Sequence, residues 1–124
     1  MARFDRHGRA GWWWLGLVAA GFVAPPVWAA DRLWDSSYGK PLYEKHCASC
    51  HGPQGRGNGP AGRDLVPLPA DLTSPRRQAK LNAVLANMIE HGRPGTAMTA
   101  WKGRLTEEEI RHLVTYIRVL GEPK

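Results

Sequence analysis

The pattern of apolar and polar positions is clearest near the C-terminus, where Ile110, Leu113, Val114, Ile117 and Leu120 recur at helical spacing between charged residues. Thr106 and Glu109 form a T-x-x-E capping box in front of that stripe. Glu107 and Glu108 add negative charge where the helix dipole favours it, and Gly121 ends the run. Upstream, Leu81, Val84, Leu85, Met88 and Ile89 give a second apolar face. Ser74 as N-cap and Pro75 at the first helical position begin that helix, and Gly92 and Pro94 end it. A shorter helix fits between Ser36 and Cys50, with Leu42, Tyr43 and Cys47 at its apolar positions. Pro41 belongs in a first turn, so regular helix is expected to start within a few residues before it.

Residues 52–75 contain Gly52, Pro53, Gly55, Gly57, Gly59, Pro60, Gly62, Pro67, Pro69 and Pro75, a density of breakers that excludes regular helix or strand up to the start of the second helix. A loop of this length in a small domain has to be wrapped on something, and a buried cofactor faced by Leu65, Val66, Leu68 and Leu72 is the natural candidate. Nothing after residue 30 alternates like a β-strand. The pattern predicts an all-α domain of three main helices and long loops.

The first thirty residues follow a different rule. Arg3, Arg6 and Arg9 outnumber Asp5, an almost uncharged apolar stretch runs from Ala10 to Ala24, Pro25 and Pro26 stop any helix, and Val27-Trp28-Ala29 suits a signal peptidase. Residues 1–29 are therefore expected to be a cleaved signal peptide and 30–124 the functional domain. A retained membrane anchor is the alternative, although the apolar run of 15 residues falls short of the roughly 20 a spanning helix needs.

Removing 29 of the 124 residues leaves 95, too few for a generous hydrophobic core, and such a chain needs a staple. The two cysteines, Cys47 and Cys50, are too close for a disulfide between them to constrain much chain. Followed directly by His51, they read instead as Cys-x-x-Cys-His: two thiols that form thioethers with a haem, and an imidazole held beneath its iron as proximal ligand. A redox-active dithiol would sit beside a βαβ pattern, which is absent. A structural zinc site would need a fourth ligand, and no second cysteine pair supplies one. Processing lowers the formal charge from +6 to +4, and two haem carboxylates bring it to about +2. The remaining charges are scattered and of both signs, so nucleic acid is not an expected partner.

A sixth iron ligand has to come from Met88, Met98, His46, His91 or His112. Met98 is favoured, because it lies in the irregular segment Gly95-Thr96-Ala97-Met98-Thr99-Ala100-Trp101, where a loop can aim its thioether. Met88 on an apolar helical face reads as core packing, and the three histidines as surface or interhelix residues.

These residues, in this order, resemble the class I c-type cytochromes of bacteria, single-haem electron carriers, and the resemblance covers the whole mature chain. It implies a cytochrome c fold around one covalently bound haem c. Gly39 and Tyr43 on the first helix match the pair that crosses a leucine and an aromatic on the last, here Leu113 and Tyr116. Pro60 matches the proline whose carbonyl accepts the proton on the outer nitrogen of the ligand histidine. Trp101 matches an aromatic that packs near the haem. Thr99 departs from the proline that often follows the methionine ligand.

With His51 and Met98 both on the iron no coordination position is open, and the expected function is single-electron transfer rather than catalysis. The expected setting is a periplasmic redox chain or the periplasmic face of the inner membrane, with protein donors and acceptors in membrane-associated complexes and no small-molecule substrate. Lys40, Lys45, Arg56 and Lys102 are candidate steering charges. Two alternatives remain at this point: a haem-bearing subunit of a dehydrogenase or oxidase complex, and a ligand-binding or peroxidatic haem protein if Met98 does not bind.

Overall fold

A computed structural model describes residues 35–124; the leader expected over residues 1–29 lies outside them. The first helix, α1 (Ser36–His46), opens on Asp35, whose carboxylate accepts a hydrogen bond from the Ser37 N–H at 2.8 Å. With the helix starting at Ser36, Pro41 sits in its second turn and not in the first turn expected for it. At Cys47 the backbone leaves helical geometry (φ −121°), although its N–H still donates to the Tyr43 carbonyl at 2.8 Å. A single turn follows, α2 (Ala48–His51), ended by Gly52 at φ 82°. The helix expected from Ser36 to Cys50 is thus two pieces with Cys47 at the joint.

The loop that follows contains a 3-10 turn at Pro60–Gly62. It folds back on α2: Gly57 N–H donates to the His51 carbonyl at 2.7 Å, Gly59 N–H to Cys50 at 3.0 Å, and Leu72 N–H to Gly55 at 2.7 Å. The wrap is made by the main chain.

The second predicted helix is broken into α3 (Pro75–Gln78) and α4 (Asn82–His91). Its break is held open from outside. The Arg118 guanidinium donates to the Gln78 carbonyl at 2.6 Å, to the Lys80 carbonyl and, through Nε, to Asn82 Oδ1 at 2.9 Å. Gln78 Nε2 donates in turn to the carbonyls of Leu72 and Ile117 at 2.7 and 3.0 Å. Carbonyls that would have continued the helix are satisfied by these side chains instead. The apolar face is correspondingly narrower than its periodicity suggests: Leu85 and Ile89 are buried, whereas Leu81 is 74% exposed and Val84 is exposed. Ser74 occupies the N-cap position of α3 without capping it, because its hydroxyl donates to the Asp71 carbonyl at 2.8 Å.

The last helix, α5 (Glu107–Leu120), matches expectation. Thr106 N–H donates to the Glu109 carboxylate at 2.7 Å, and Glu109 N–H donates to the Thr106 hydroxyl at 3.1 Å. Its inward stripe, Ile110, Leu113, Val114 and Ile117, joins Tyr43, Leu85 and Ile89 in one core. The helix α1 crosses it where Gly39 lies against the His112 backbone carbonyl and the Tyr116 Cβ, with no room for a side chain. The Tyr43 and Tyr116 rings pack at 5.4 Å, and the Tyr43 hydroxyl donates to the Gly52 carbonyl at 2.7 Å. The expected Gly39–Tyr43 and Leu113–Tyr116 crossing is therefore present. Among the described residues there is no strand, only an isolated bridge between Lys102 and Leu105. The fold is all-α, with α1, α4 and α5 as its three main helices.

Candidate functional site

Breaking helix at Cys47 and resuming it for one turn places Cys47, Cys50 and His51 on a common wall of a cavity of about 280 Å³. Most of the remaining lining is apolar: Leu65, Leu68 and Leu72 from the loop, Leu85, Met88 and Ile89 from α4, Ile117 from α5, and Trp101. Of the four loop residues expected to face a cofactor, Val66 does not, being 93% exposed outside the cavity. Leu65 and Leu72 line the cavity half-buried, while Leu68 lines it with 66% of its surface still exposed.

His51 is fixed from behind. Its Nδ1 lies 3.0 Å from the Ala70 carbonyl oxygen. A carbonyl only accepts, so Nδ1 carries the proton and Nε2 keeps its lone pair free for another partner. The acceptor expected at this place was the Pro60 carbonyl. Pro60 instead opens the 3-10 turn, and the loop's return past Gly57, packed against the Pro69 carbonyl, brings Ala70 to the ring. Burial keeps the His51 imidazole below its ordinary basicity; the Ala70 bond works against that and the Arg77 charge adds to it. The ring is accordingly neutral at neutral pH, as a metal-binding imidazole must be. Burial, helped by Cys50, pushes the Cys47 thiol up to about 11. That is the opposite of what a redox-active dithiol requires. Among the described residues no group of three or more His, Cys, Asp or Glu side chains is gathered where it could hold a metal ion.

Met98 reaches the same cavity from the segment after α4, as do Thr96 and Ala97. Met88 lies on the cavity wall, half-buried, and not in the core where its helical position suggested. Of the histidines, His46 lines the cavity and meets the Trp101 ring edge-on at 4.9 Å. His91 is exposed, with Nδ1 on the Asn87 carbonyl of its own helix at 3.1 Å. His112 is buried at the α1–α5 crossing beside Tyr38, away from the cavity. Trp101 is anchored through its backbone N–H to the Ile89 and Glu90 carbonyls and carries the Arg104 guanidinium over its ring at 4.3 Å.

Three participants were not foreseen in the sequence. The Ala70 carbonyl carries no residue-specific signal at all. Arg77 and Arg93 also line the cavity, and neither is paired with a carboxylate among the described residues. Nothing in the local sequence sets either apart from the other arginines of the chain. Of the proposed steering charges, Lys40 is 3.7 Å from Glu44, and Lys40, Lys45, Arg56 and Lys102 all lie outside the cavity.

The cavity suits a flat, apolar group with two carboxylates. The thiol pair and imidazole stand on one wall, Met98 is within the lining, the remainder is largely aliphatic or aromatic, and two unpaired guanidinium groups border it.

Comparison with known proteins agrees with that chemistry. Residues 36–117 match the family described as cytochrome c oxidase, cbb3-type, subunit III. The chain is 35% identical over its whole length to the cbb3-type cytochrome c oxidase subunit CcoP of Azospirillum brasilense, of which it spans 41%. It is 34% identical to cytochrome c55X of Stutzerimonas stutzeri over 89% of this chain and 90% of that one. Among solved structures, the KustC0563 c-type cytochrome superposes with a TM-score of 0.54 at 28% identity, over 68% of this chain and 98% of that chain. The chain thus spans less than half the length of the CcoP subunits it matches. Fold, cavity and family match together make this chain a class I c-type cytochrome of the cbb3-type cytochrome c oxidase subunit III family, a haem c electron-transfer protein.

Proposed function

We propose that this chain carries single electrons in a periplasmic redox chain through one haem c, bonded by thioethers to Cys47 and Cys50 and ligated by His51 and Met98. The observation that carries the reading is the meeting of all four residues in one apolar cavity, with the His51 ring already tied to Ala70. Bound there, the haem supplies an iron that cycles between ferric and ferrous states.

The chain's own residues do the rest. The Ala70 carbonyl holds the proton on Nδ1, which fixes the ring and makes Nε2 a stronger donor. His51 and Met98 would both hold the iron, which would leave no position for oxygen or a substrate. Imidazole and thioether both suit either oxidation state, so little has to move as the charge changes. Leu85, Ile89, Ile117 and Trp101 exclude water, which favours the less charged ferrous form, and thioether ligation pushes the potential the same way. Arg77 and Arg93 supply positive charge for the carboxylates.

A reduced-minus-oxidised spectrum of the periplasmic fraction tests this. The expected result is a haem c spectrum with two thioether links and, in the ferric form, a weak sulfur-to-iron charge-transfer band that Met98→Ala abolishes. Rapid, tight binding of cyanide or carbon monoxide by the parent protein rejects the closed site in favour of a ligand-binding or peroxidatic haem.

One observation favours a second reading, in which this domain is the electron outlet of a larger complex: its relatives include oxidase subunits more than twice its length. Its nearly full coverage of cytochrome c55X supports the free carrier instead. Size exclusion of a native extract separates them, because a free carrier elutes at the size of the mature domain.

A further inference from the structure

We propose that Thr96 is the residue that positions Met98, its hydroxyl closing the segment 93–98 into a rigid loop that aims the thioether. The inference rests on the proposed ligation by Met98.

The loop starts where Gly92 (φ 63°) ends α4. Its backbone lies against the Met98 carbonyl and Thr99, with no space for a Cβ. A tight turn follows. Thr96 N–H donates to the Arg93 carbonyl at 3.1 Å, and the two residues between are Pro94 and Gly95, the latter at φ 76°. Proline followed by a glycine of positive φ is the sequence of a type II turn. The Thr96 hydroxyl then works in both directions. It donates to the Arg93 carbonyl at 2.7 Å and accepts from the Met98 N–H at 3.2 Å. The Arg93 N–H completes the ring by donating to the Met98 carbonyl at 2.9 Å.

Both backbone polar groups of Met98 are therefore held, one by Arg93 and the other by Thr96. Among the described residues no other side chain hydrogen-bonds the Met98 backbone. The residue after it, Thr99, leaves φ unlocked, and Ala97 before it is exposed and has no polar side chain. Without the hydroxyl the Met98 N–H loses its partner and the turn is joined to the methionine only through Arg93.

The test uses the holoprotein with Thr96→Val, which keeps the shape and removes the hydroxyl, Thr96→Ser, which keeps the hydroxyl, and Thr115→Val as a control. Thr115 also spends its hydroxyl on a backbone carbonyl, that of Arg111 at 3.0 Å, but does so on α5 outside the cavity. Two measurements are made: the ferric sulfur-to-iron charge-transfer band as pH is raised, and the rate at which imidazole displaces the native ligand.

Thr96→Val is expected to keep its attached haem, to lose the band at a pH lower by about one unit and to take up imidazole about tenfold faster. Thr96→Ser and Thr115→Val should stay within about twofold of the parent. Parent-like behaviour of Thr96→Val overturns the proposal, and so does a serine variant as labile as the valine. A parent with attached haem but no charge-transfer band overturns the Met98 ligation itself, and the role of Thr96 with it.

Discussion

His51 Nδ1 and the Ala70 carbonyl oxygen lie 3.0 Å apart across nineteen residues of chain, so the loop that lines the cavity also orients the ring. A donor held this way exchanges its proton slowly. In the holoprotein labelled with ¹⁵N-histidine, the His51 Nδ1–H is expected to be observed and protected from solvent, with Nε2 carrying no proton. A fast-exchanging Nδ1–H, or protonation on Nε2, would show that the ring is not held by Ala70.

Gly39 is where α1 comes closest to α5, and an added Cβ meets the His112 backbone carbonyl, which cannot rotate away. Alanine would ordinarily gain about 1 kcal/mol over glycine inside a helix. Here the forced separation of the two helices outweighs that gain. Gly39→Ala is expected to destabilise the fold by about 1–3 kcal/mol, read as a fall of roughly 5–15 °C in thermal midpoint. An unchanged or raised midpoint would mean that the crossing is loose.

The Tyr43 hydroxyl donates to the Gly52 carbonyl at 2.7 Å inside the core, and burial raises its pKa beyond any ordinary titration. Tyr43→Phe keeps the ring against Tyr116 and leaves the Gly52 carbonyl with the Gly55 N–H, 3.0 Å away, as its remaining partner. Denaturant unfolding should report a loss of about 0.5–1.5 kcal/mol with the haem spectrum unchanged. A loss no larger than that of a surface substitution would show that water replaces the hydroxyl.

Asp71 anchors the start of the turn into α3. Its carboxylate accepts from the Thr73 hydroxyl and N–H at 2.7 and 2.8 Å, and these bonds, the hydroxyl's first, hold its pKa below the ordinary 3.8. A carboxyl depressed in the folded state binds fewer protons there than in the unfolded chain. Its stabilisation is therefore complete above the unfolded pKa and lost as pH falls through the lower, folded one. The group is exposed, so the effect is limited to a few tenths of a kcal/mol. The stability difference between the parent and Asp71→Asn should be constant above about pH 5 and vanish toward pH 2. A difference that persists at the acid end would assign it to something other than the charge.

The parts legible in the sequence were those written in local chemistry. The stripe from Ile110 to Leu120 and the Thr106–Glu109 box need only neighbouring residues to act, and α5 formed as read. Cys47, Cys50 and His51 lie within five residues, so their shared wall follows from one helical turn. The second helix shows the limit. Its periodicity ran unbroken through Leu81, but the guanidinium of Arg118, thirty-eight residues from Lys80, satisfies the carbonyls at the break, and Leu81 turned outward.

The same distinction divides the site. By itself the sequence determined an all-α domain, a Cys-x-x-Cys-His motif at Cys47 to His51 and a loop dense in glycine and proline, because composition and short-range spacing act before the chain folds. Only the tertiary structure decided that Ala70 and not Pro60 holds the histidine, that Val66 faces away, that Met88 joins the cavity wall, and that Thr96 secures Met98. The reason is physical: a backbone carbonyl is the same group at every residue, and which one meets a given ring is set by the path of the loop, not by the side chain it carries.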